Sequence, residues 1–218
     1  MANKKIWLIA AAALLALLLL ITFILSLLPQ KAAAPQETTQ APTTESTFVP
    51  ETNPYSPTDF TVVGDEIICI TDDAARGIDV SQHQGDIDWQ KVKEAGIDFV
   101  ILRVGGRGWG QAGTLYIDDR AQEYYIAAKA AGLQIGAYFF SQAITPDEAR
   151  EEARFALEQM DGWELDLPVA FDWEYVSEEA RTANMDQDTL TQCVLAFCDE
   201  IEKSGKETML YTNPTTPA

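Results

Sequence analysis

The sequence predicts an α/β domain with a parallel sheet, preceded by one membrane-spanning helix and a linker. Three observations support this: an uncharged apolar run near the N-terminus, a following segment rich in Pro and Thr, and a strand-helix alternation that occurs four times. Strands alternating with helices imply a parallel sheet with right-handed crossovers, either a barrel or an open doubly wound sheet.

The N-terminal region predicts a membrane anchor. Residues 6–28 contain no charge and are long enough to cross about 30 Å of hydrocarbon. A cleavable signal peptide is the alternative, because small residues follow the run, but its apolar region usually spans only about 7 to 15 residues. Lys4 and Lys5 place residues 1–5 in the cytoplasm by the positive-inside bias. We expect a single-pass protein of the cell membrane with its domain outside the cell.

The segment after the anchor predicts a tether. Pro, Thr, Ser, Gln and Ala dominate its first part, which has little to pack into a core. We assign residues 29–75 to an extracellular linker with a short pre-domain segment, and residues 76–218 to the domain.

The composition excludes several classes of site. The chain has 34 acidic and 15 basic residues and a formal net charge of −19, which argues against nucleic acid binding. Its one histidine, His83, and its three cysteines lack the spacing of a metal site, so we expect no metal and no cofactor. The run "GGRGWG", residues 105–110, lacks the spacing of a phosphate cradle and predicts a flexible loop between a strand and a helix.

Each repeat of the domain joins a short β-branched or aromatic run to a capped helical segment. Thr145, Pro146 and Glu148 form a capping box, and glycines follow three of the helices. The four pairs are "GIDVS" with "DWQKVKEAG", "FVILRV" with "DDRAQEYYIAAKAAG", "QIGAYFFS" with "TPDEAREEARFALEQM", and "PVAFDWEYV" with "MDQDTLTQCVLAFCDEIEKSG". A fifth strand, "TMLYTN", follows them.

The fourth strand contains two carboxylates on one side. Side chains alternate across a strand, so Asp172 and Glu174 point away from the side that Trp173 occupies. In a barrel, the carboxyl ends of the strands meet at one face, where Asp79 and Tyr138 also belong. A carboxyl pair suits glycosidic bond cleavage, because one group donates a proton and the other stabilises positive charge at the anomeric carbon.

Other residues near these strand ends are candidates for substrate binding. Trp173 offers an aromatic ring on which a sugar can stack, although such a ring is more often plain packing. Arg103 ends the second strand, where it either binds substrate or neutralises a neighbouring carboxylate, and the sequence leaves both open.

Three segments together resemble glycoside hydrolase family 25, the lysozymes of the Chalaropsis and Cellosyl type. They are "GIDVSQHQGDIDWQKVKEAGIDFVILRVGGRGW", "IGAYFFS" and "DLPVAFDWEYV", and the resemblance covers residues 76–213. It implies a TIM-barrel-like fold of five β/α units followed by three strands. It also implies muramidase activity on peptidoglycan, at the β-1,4 bond between N-acetylmuramic acid and N-acetylglucosamine.

The resemblance also implies roles for four residues. Glu174 resembles the proton donor and Asp172 the second carboxylate of the pair. Asp79 resembles the acidic residue that ends the first strand, and Tyr138 the site tyrosine of the third. The sequence stops at Ala218, after the fifth strand, so we expect a C-terminally truncated domain that lacks the last strands of the barrel.

Two alternatives to a membrane-anchored muramidase remain. One is a chitinase-like hydrolase, but two acidic positions of the chitinase motif are Leu167 and Ala170 here. The other is a non-catalytic module that binds cell-wall glycans, a reading that the missing strands allow.

Overall fold

The computed structural model of the chain describes residues 55–64, 66–71 and 74–212. The predicted membrane helix at residues 6–28 and most of the predicted linker lie outside these residues. None of the helices within them combines the length and the apolar character that a bilayer crossing requires.

A short antiparallel hairpin stands at the start of the described residues, within the segment predicted as linker. A 3₁₀ turn, Pro57–Asp59, leads into β1 (Phe60–Val63), which pairs with β2 (Glu66–Cys69). β-Branched residues favour this extended backbone, and Gly64 supplies a positive φ of 64° after β1. The last part of the 29–75 segment therefore contains regular structure that its composition did not indicate.

The main sheet has six strands in the part of the chain that the structure describes. Five are parallel and lie in the order β3-β4-β6-β7-β8, while β5 pairs antiparallel with β4. The predicted four strand-helix repeats and fifth strand are confirmed, and the five parallel strands end at one edge of the sheet. The six strands are β3 (Gly77–Val80), β4 (Phe99–Arg107), β5 (Leu115–Ile117), β6 (Gln134–Ser141), β7 (Val169–Trp173) and β8 (Thr208–Tyr211).

Helices follow the strands as the capping signals predict. Thr145 caps α3, because its side chain accepts the N–H of Glu148 at 3.2 Å. The reciprocal bond of the predicted box is displaced: the Glu148 carboxylate accepts the N–H of Ile144 at 2.9 Å. Within the described residues, the α-helices are α1 (Trp89–Glu94), α2 (Ala121–Ala130), α3 (Pro146–Gln159) and α4 (Gln187–Glu202).

Strand β4 is longer than the sequence predicts. We expected a flexible loop from residue 105, but β4 continues through Arg107 and β5 pairs along its last residues. A Cβ on Gly105 would come within 2.4 Å of the main-chain oxygen of Tyr116, and one on Gly106 within 2.4 Å of the Tyr116 hydroxyl. The close approach of the β5 backbone therefore requires glycine at position 105, whereas a side chain at position 106 would displace the Tyr116 ring.

The apolar core takes one side of the central strands. The rings of Phe171 and Phe197 meet edge to face there, with centroids 5.2 Å apart. Burial on this side leaves the opposite face of the same strands for polar groups. The core side chains of three strands are Val100, Leu102 and Val104 from β4, Ile135, Ala137 and Phe139 from β6, and Val169, Phe171 and Trp173 from β7.

Candidate active site

The two carboxylates of the fourth predicted strand lie on the same side, as the alternation predicts. Asp172 is on β7, and Glu174 follows the last residue of that strand. Both line a cavity of about 270 Å³, while Phe171 and Trp173 belong to the core on the other side. The cavity has room for a sugar-sized group between polar and apolar walls.

The other two residues that the resemblance indicates reach the same cavity. Asp79 comes from β3 and Tyr138 from β6, and both line it with the β7 pair. Parallel pairing explains the convergence, because β3, β6 and β7 have their carboxyl ends at one edge. The full lining is Gly77, Ile78, Asp79, Phe99, Ile101, Tyr138, Ala170, Asp172, Glu174, Met209 and Tyr211.

Asp172 is a buried carboxyl group at the wall of the cavity. Its side chain is buried, the residue being 6% exposed, and its Oδ1 has no hydrogen-bond partner among the described residues. Burial, together with the negative charges of Glu174 and Asp79, raises the pKa of Asp172 to about 7, while the positive charge of Arg103 opposes the shift. This raised pKa belongs to the carboxyl group to which the family resemblance gives the second role.

The Tyr138 phenol stays protonated at physiological pH. Burial raises its pKa, and the charges of Asp172 and Asp79 act in the same direction, against the positive charge of Arg103. A neutral phenol at the cavity wall donates a hydrogen bond, which suits a sugar hydroxyl or an acetamido oxygen.

Arg103, for which the sequence left open a role in substrate binding or in neutralising a carboxylate, forms a buried ion pair with Asp118. Its Nε donates to Oδ2 of Asp118 at 2.8 Å, and the Asp118 side chain is fully buried. The same carboxylate oxygen accepts the N–H of Gln82 at 2.9 Å. Arg103 therefore neutralises a neighbouring carboxylate, and a substrate contact by Arg103 stays a prediction.

Trp173 lies where a sugar-binding ring is not expected. The residue is 6% exposed, belongs to the apolar core and is absent from the cavity lining. The alternation that turns Asp172 toward the cavity turns Trp173 away from it. His83, by contrast, is exposed in the 3₁₀ turn Gln82–Gln84, at the surface position that the sequence favours.

A buried polar network beside the site was missed by sequence reasoning. Glu152 on α3 is fully buried, and it accepts hydrogen bonds from Arg107 Nε at 2.7 Å and from Ser141 Oγ at 2.5 Å. Burial raises the pKa of Glu152 to about 7 against the opposing effect of these two donors. The available signal was an acid on the face of α3 that also holds buried Ala149 and Ala153.

Strand β8 supplies two further lining residues, Met209 and Tyr211. Tyr211 is paired in register with Asp172, so β8 extends the same wall. Among the described residues, no group of three or more His, Cys, Asp or Glu side chains is arranged to hold a metal ion.

The chain is similar to several known cell-wall enzymes. It is 30% identical to the autolytic lysozyme of Clostridium acetobutylicum over 137 residues, which are 63% of this chain and 38% of that protein. It is 35% identical to lysozyme M1 of Streptomyces globisporus over 103 residues, 46% of this chain and 33% of that protein. The chain thus spans less than half the length of these two relatives.

Solved structures agree with this similarity. The modular autolysin LytC of Streptococcus pneumoniae superimposes with a TM-score of 0.57 at 27% identity, covering 68% of this chain and 34% of that chain. It has also been solved in complex with a synthetic peptidoglycan ligand. The bacterial lysozyme of Streptomyces coelicolor gives a TM-score of 0.52 at 27% identity and covers 65% of this chain and 64% of that chain.

The family itself is identified by the domain sequence. Residues 78–215 match the family described as glycosyl hydrolases family 25. The match covers the main sheet from the second residue of β3 onward, and it includes Asp79, Tyr138, Asp172 and Glu174. The chain therefore belongs to glycosyl hydrolases family 25.

Proposed function

We propose that this chain is a muramidase that hydrolyses the β-1,4 bond between N-acetylmuramic acid and N-acetylglucosamine in peptidoglycan. The observation that supports it best is the convergence of Asp79, Tyr138, Asp172 and Glu174 on one cavity. Family membership agrees with it, as do the names of the relatives, a lysozyme and an autolysin among them.

In the proposed reaction, Glu174 donates a proton to the glycosidic oxygen as the bond from that oxygen to the anomeric carbon breaks. The acetamido oxygen of N-acetylmuramic acid forms a bond to the same carbon, and Asp172 orients and stabilises the acetamido group. Water then attacks the anomeric carbon, releases the acetamido oxygen and returns a proton to Glu174. Asp79 and Tyr138 position the sugar in the cavity.

The carboxyl pair of Asp172 and Glu174 can supply the proton that the proposed reaction needs. With the pKa of Asp172 at about 7, the pair holds one proton below neutral pH. Glycosidic cleavage needs such a proton at the leaving oxygen. Hydrolysis should therefore decline as the pH rises above about 7.

The proposed fold of the domain, from residue 76 onward, is part of the TIM-barrel-like arrangement of five β/α units and three strands that the family resemblance implies. Its support is the parallel order β3-β4-β6-β7-β8, with candidate site residues at the carboxyl ends of the strands. In such barrels the active site lies at that face.

Digestion of two glycans tests the proposed activity. The purified full chain, in mild detergent, is incubated with peptidoglycan and with chitin, and the new reducing ends are identified after borohydride reduction. A muramidase leaves N-acetylmuramic acid at the new ends and does not cut chitin. Cleavage of chitin would instead identify a chitinase-like hydrolase, and binding of peptidoglycan without new ends would identify a non-catalytic module.

We further propose that residues 6–28 anchor the chain in the cell membrane, with residues 1–5 in the cytoplasm and residues 29–75 as the tether. The uncharged run and its preceding lysines support this topology. Protease added to intact cells should then remove the domain and leave a membrane-bound fragment. A domain that stays protected until the cells are lysed contradicts it.

A further inference from the structure

We propose that Gln142 is a positioning residue that holds Glu174 at the reaction centre. This inference rests on the proposed muramidase function. Gln142 follows the end of β6 and is fully buried. Its Nε2 donates to the main-chain oxygen of Glu174 at 3.2 Å, so it contacts the backbone of the proton donor and leaves the carboxyl group available to substrate.

Glu174 needs such a contact because of where it lies in the chain. The β6–β7 pairing ends where Ser141 meets Trp173, and Glu174 is the next residue. The sheet ladder therefore does not fix its peptide. The bond from Gln142 ties the carbonyl of Glu174 to the end of the neighbouring strand, directly beside that last ladder pair.

The orientation of the Gln142 carboxamide follows from its partners. Nε2 also donates to the main-chain oxygen of Ser141 at 2.9 Å, and Oε1 accepts from Oγ1 of Thr182 at 2.7 Å. The reversed amide would set its oxygen against two carbonyl oxygens. Both N–H groups of the amide and one lone pair of its oxygen are thus hydrogen-bonded. The side chain therefore has one favourable orientation.

Gln142 itself stands on a rigid base. Its main-chain N–H donates to Oε1 of Glu152 at 3.3 Å, and the neighbouring Ser141 hydroxyl donates to Oε2 of the same carboxylate. Glu152 in turn accepts from Arg107 at the end of β4. Three elements, β4, β6 and α3, therefore fix the position from which Gln142 reaches Glu174.

Two variants and a matched control separate positioning from simple packing. Gln142→Met has a similar volume and removes both donors and the acceptor. Gln142→Glu keeps the acceptor that Thr182 uses and replaces the Nε2 donor, so it remains informative if the first variant fails to fold. Thr182→Val removes the far bond of the amide while keeping the bond between Gln142 and Glu174.

Two substrates supply the readout. Peptidoglycan has a poor leaving group that needs a proton, whereas a dinitrophenyl glycoside of N-acetylmuramic acid has a leaving group that needs none. We expect folded Gln142→Met and Gln142→Glu to lower kcat on peptidoglycan roughly 10- to 100-fold with KM nearly unchanged, as misplacement of a catalytic group does. Hydrolysis of the dinitrophenyl glycoside should stay within about threefold of the parent. Thr182→Val should lower peptidoglycan hydrolysis less than either Gln142 variant does, because both donor bonds of the amide remain.

The remaining outcomes are equally decisive. Combining Gln142→Met with Glu174→Gln should lower peptidoglycan hydrolysis no further than Glu174→Gln alone, because both changes remove one function. An equal loss on both substrates, or unchanged peptidoglycan hydrolysis by folded variants, overturns the positioning role. A parent chain inactive on both substrates instead refutes the proposed muramidase function, and this inference with it.

Discussion

Replacing Glu174 by Gln should reduce peptidoglycan hydrolysis by the full chain roughly 10²- to 10⁴-fold, the range lost with a general acid. The amide has nearly the same shape as the carboxyl group but has no acidic proton to give to the leaving oxygen. Glu174 is half-buried at the wall of the cavity, and its one described main-chain bond, from Gln142, involves the backbone oxygen. The fold should therefore tolerate the change.

The measurement is the release of reducing ends from peptidoglycan at pH 6, with circular dichroism to verify folding. Glu178→Gln is the matched control, because Glu178 lies four residues further along the chain and is exposed. It should retain parental activity. Near-parental hydrolysis by Glu174→Gln would exclude Glu174 as the proton donor.

Replacing Asp172 by Asn should have two effects of opposite sign. Hydrolysis should fall about 10²-fold or more, because the amide cannot stabilise the acetamido group as a carboxylate does. The unfolding free energy should rise at alkaline pH, because the variant no longer buries a carboxylate whose Oδ1 lacks a hydrogen-bond partner among the described residues. A more stable but inactive protein is the expected result.

The pH dependence of this stability gain follows from proton linkage. The pKa of Asp172 is about 7 in the folded chain and about 3.9 in an unfolded one, so the folded state binds more protons between these values. The parent therefore loses stability as the pH rises from about 4 to about 7, and the loss is complete above pH 7. Its upper limit is on the order of 4 kcal/mol.

Guanidinium unfolding of the full chain at pH 5 and pH 8 measures the effect. The difference between Asp172→Asn and the parent should be small at pH 5 and about 2 kcal/mol in favour of the variant at pH 8. Glu178→Gln serves as the control for stability, because Glu178 is exposed and its charge is not among those that shift the pKa of Asp172. A gain independent of pH would show that proton binding to Asp172 is not its cause.

Much of the site was predictable from two regularities of the backbone. Alternation along β7 places Asp172 and Glu174 together, and parallel pairing brings Asp79 and Tyr138 to the same edge. The same alternation places Trp173 in the core, on the side of β7 opposite to the cavity. The strand pattern therefore argued against stacking of a sugar on that ring. Applied consistently, the strand period alone would have removed Trp173 from the candidates.

The rest of the site depends on contacts that no local pattern records. Arg103 meets Asp118 through the return of β5, and neither residue has a periodic signal for the other. Gln142 follows a strand as an ordinary polar residue, and its contacts with Glu174 and Thr182 depend on how two loops meet. The hairpin of β1 and β2 was not predicted, because two strands of four residues each barely change the composition of the Pro- and Thr-rich segment that precedes them.

The order of the strands also bears on how the domain forms during synthesis. Each parallel strand after β3 pairs with the parallel strand before it along the chain, so no strand has to insert between two that are already paired. At roughly 5 to 20 residues per second, β3 emerges on the order of 10 s before β8. During that interval the newest strand exposes unpaired N–H and C=O groups, the template on which chains aggregate. A chaperone that covers this edge until the next strand pairs would prevent such aggregation.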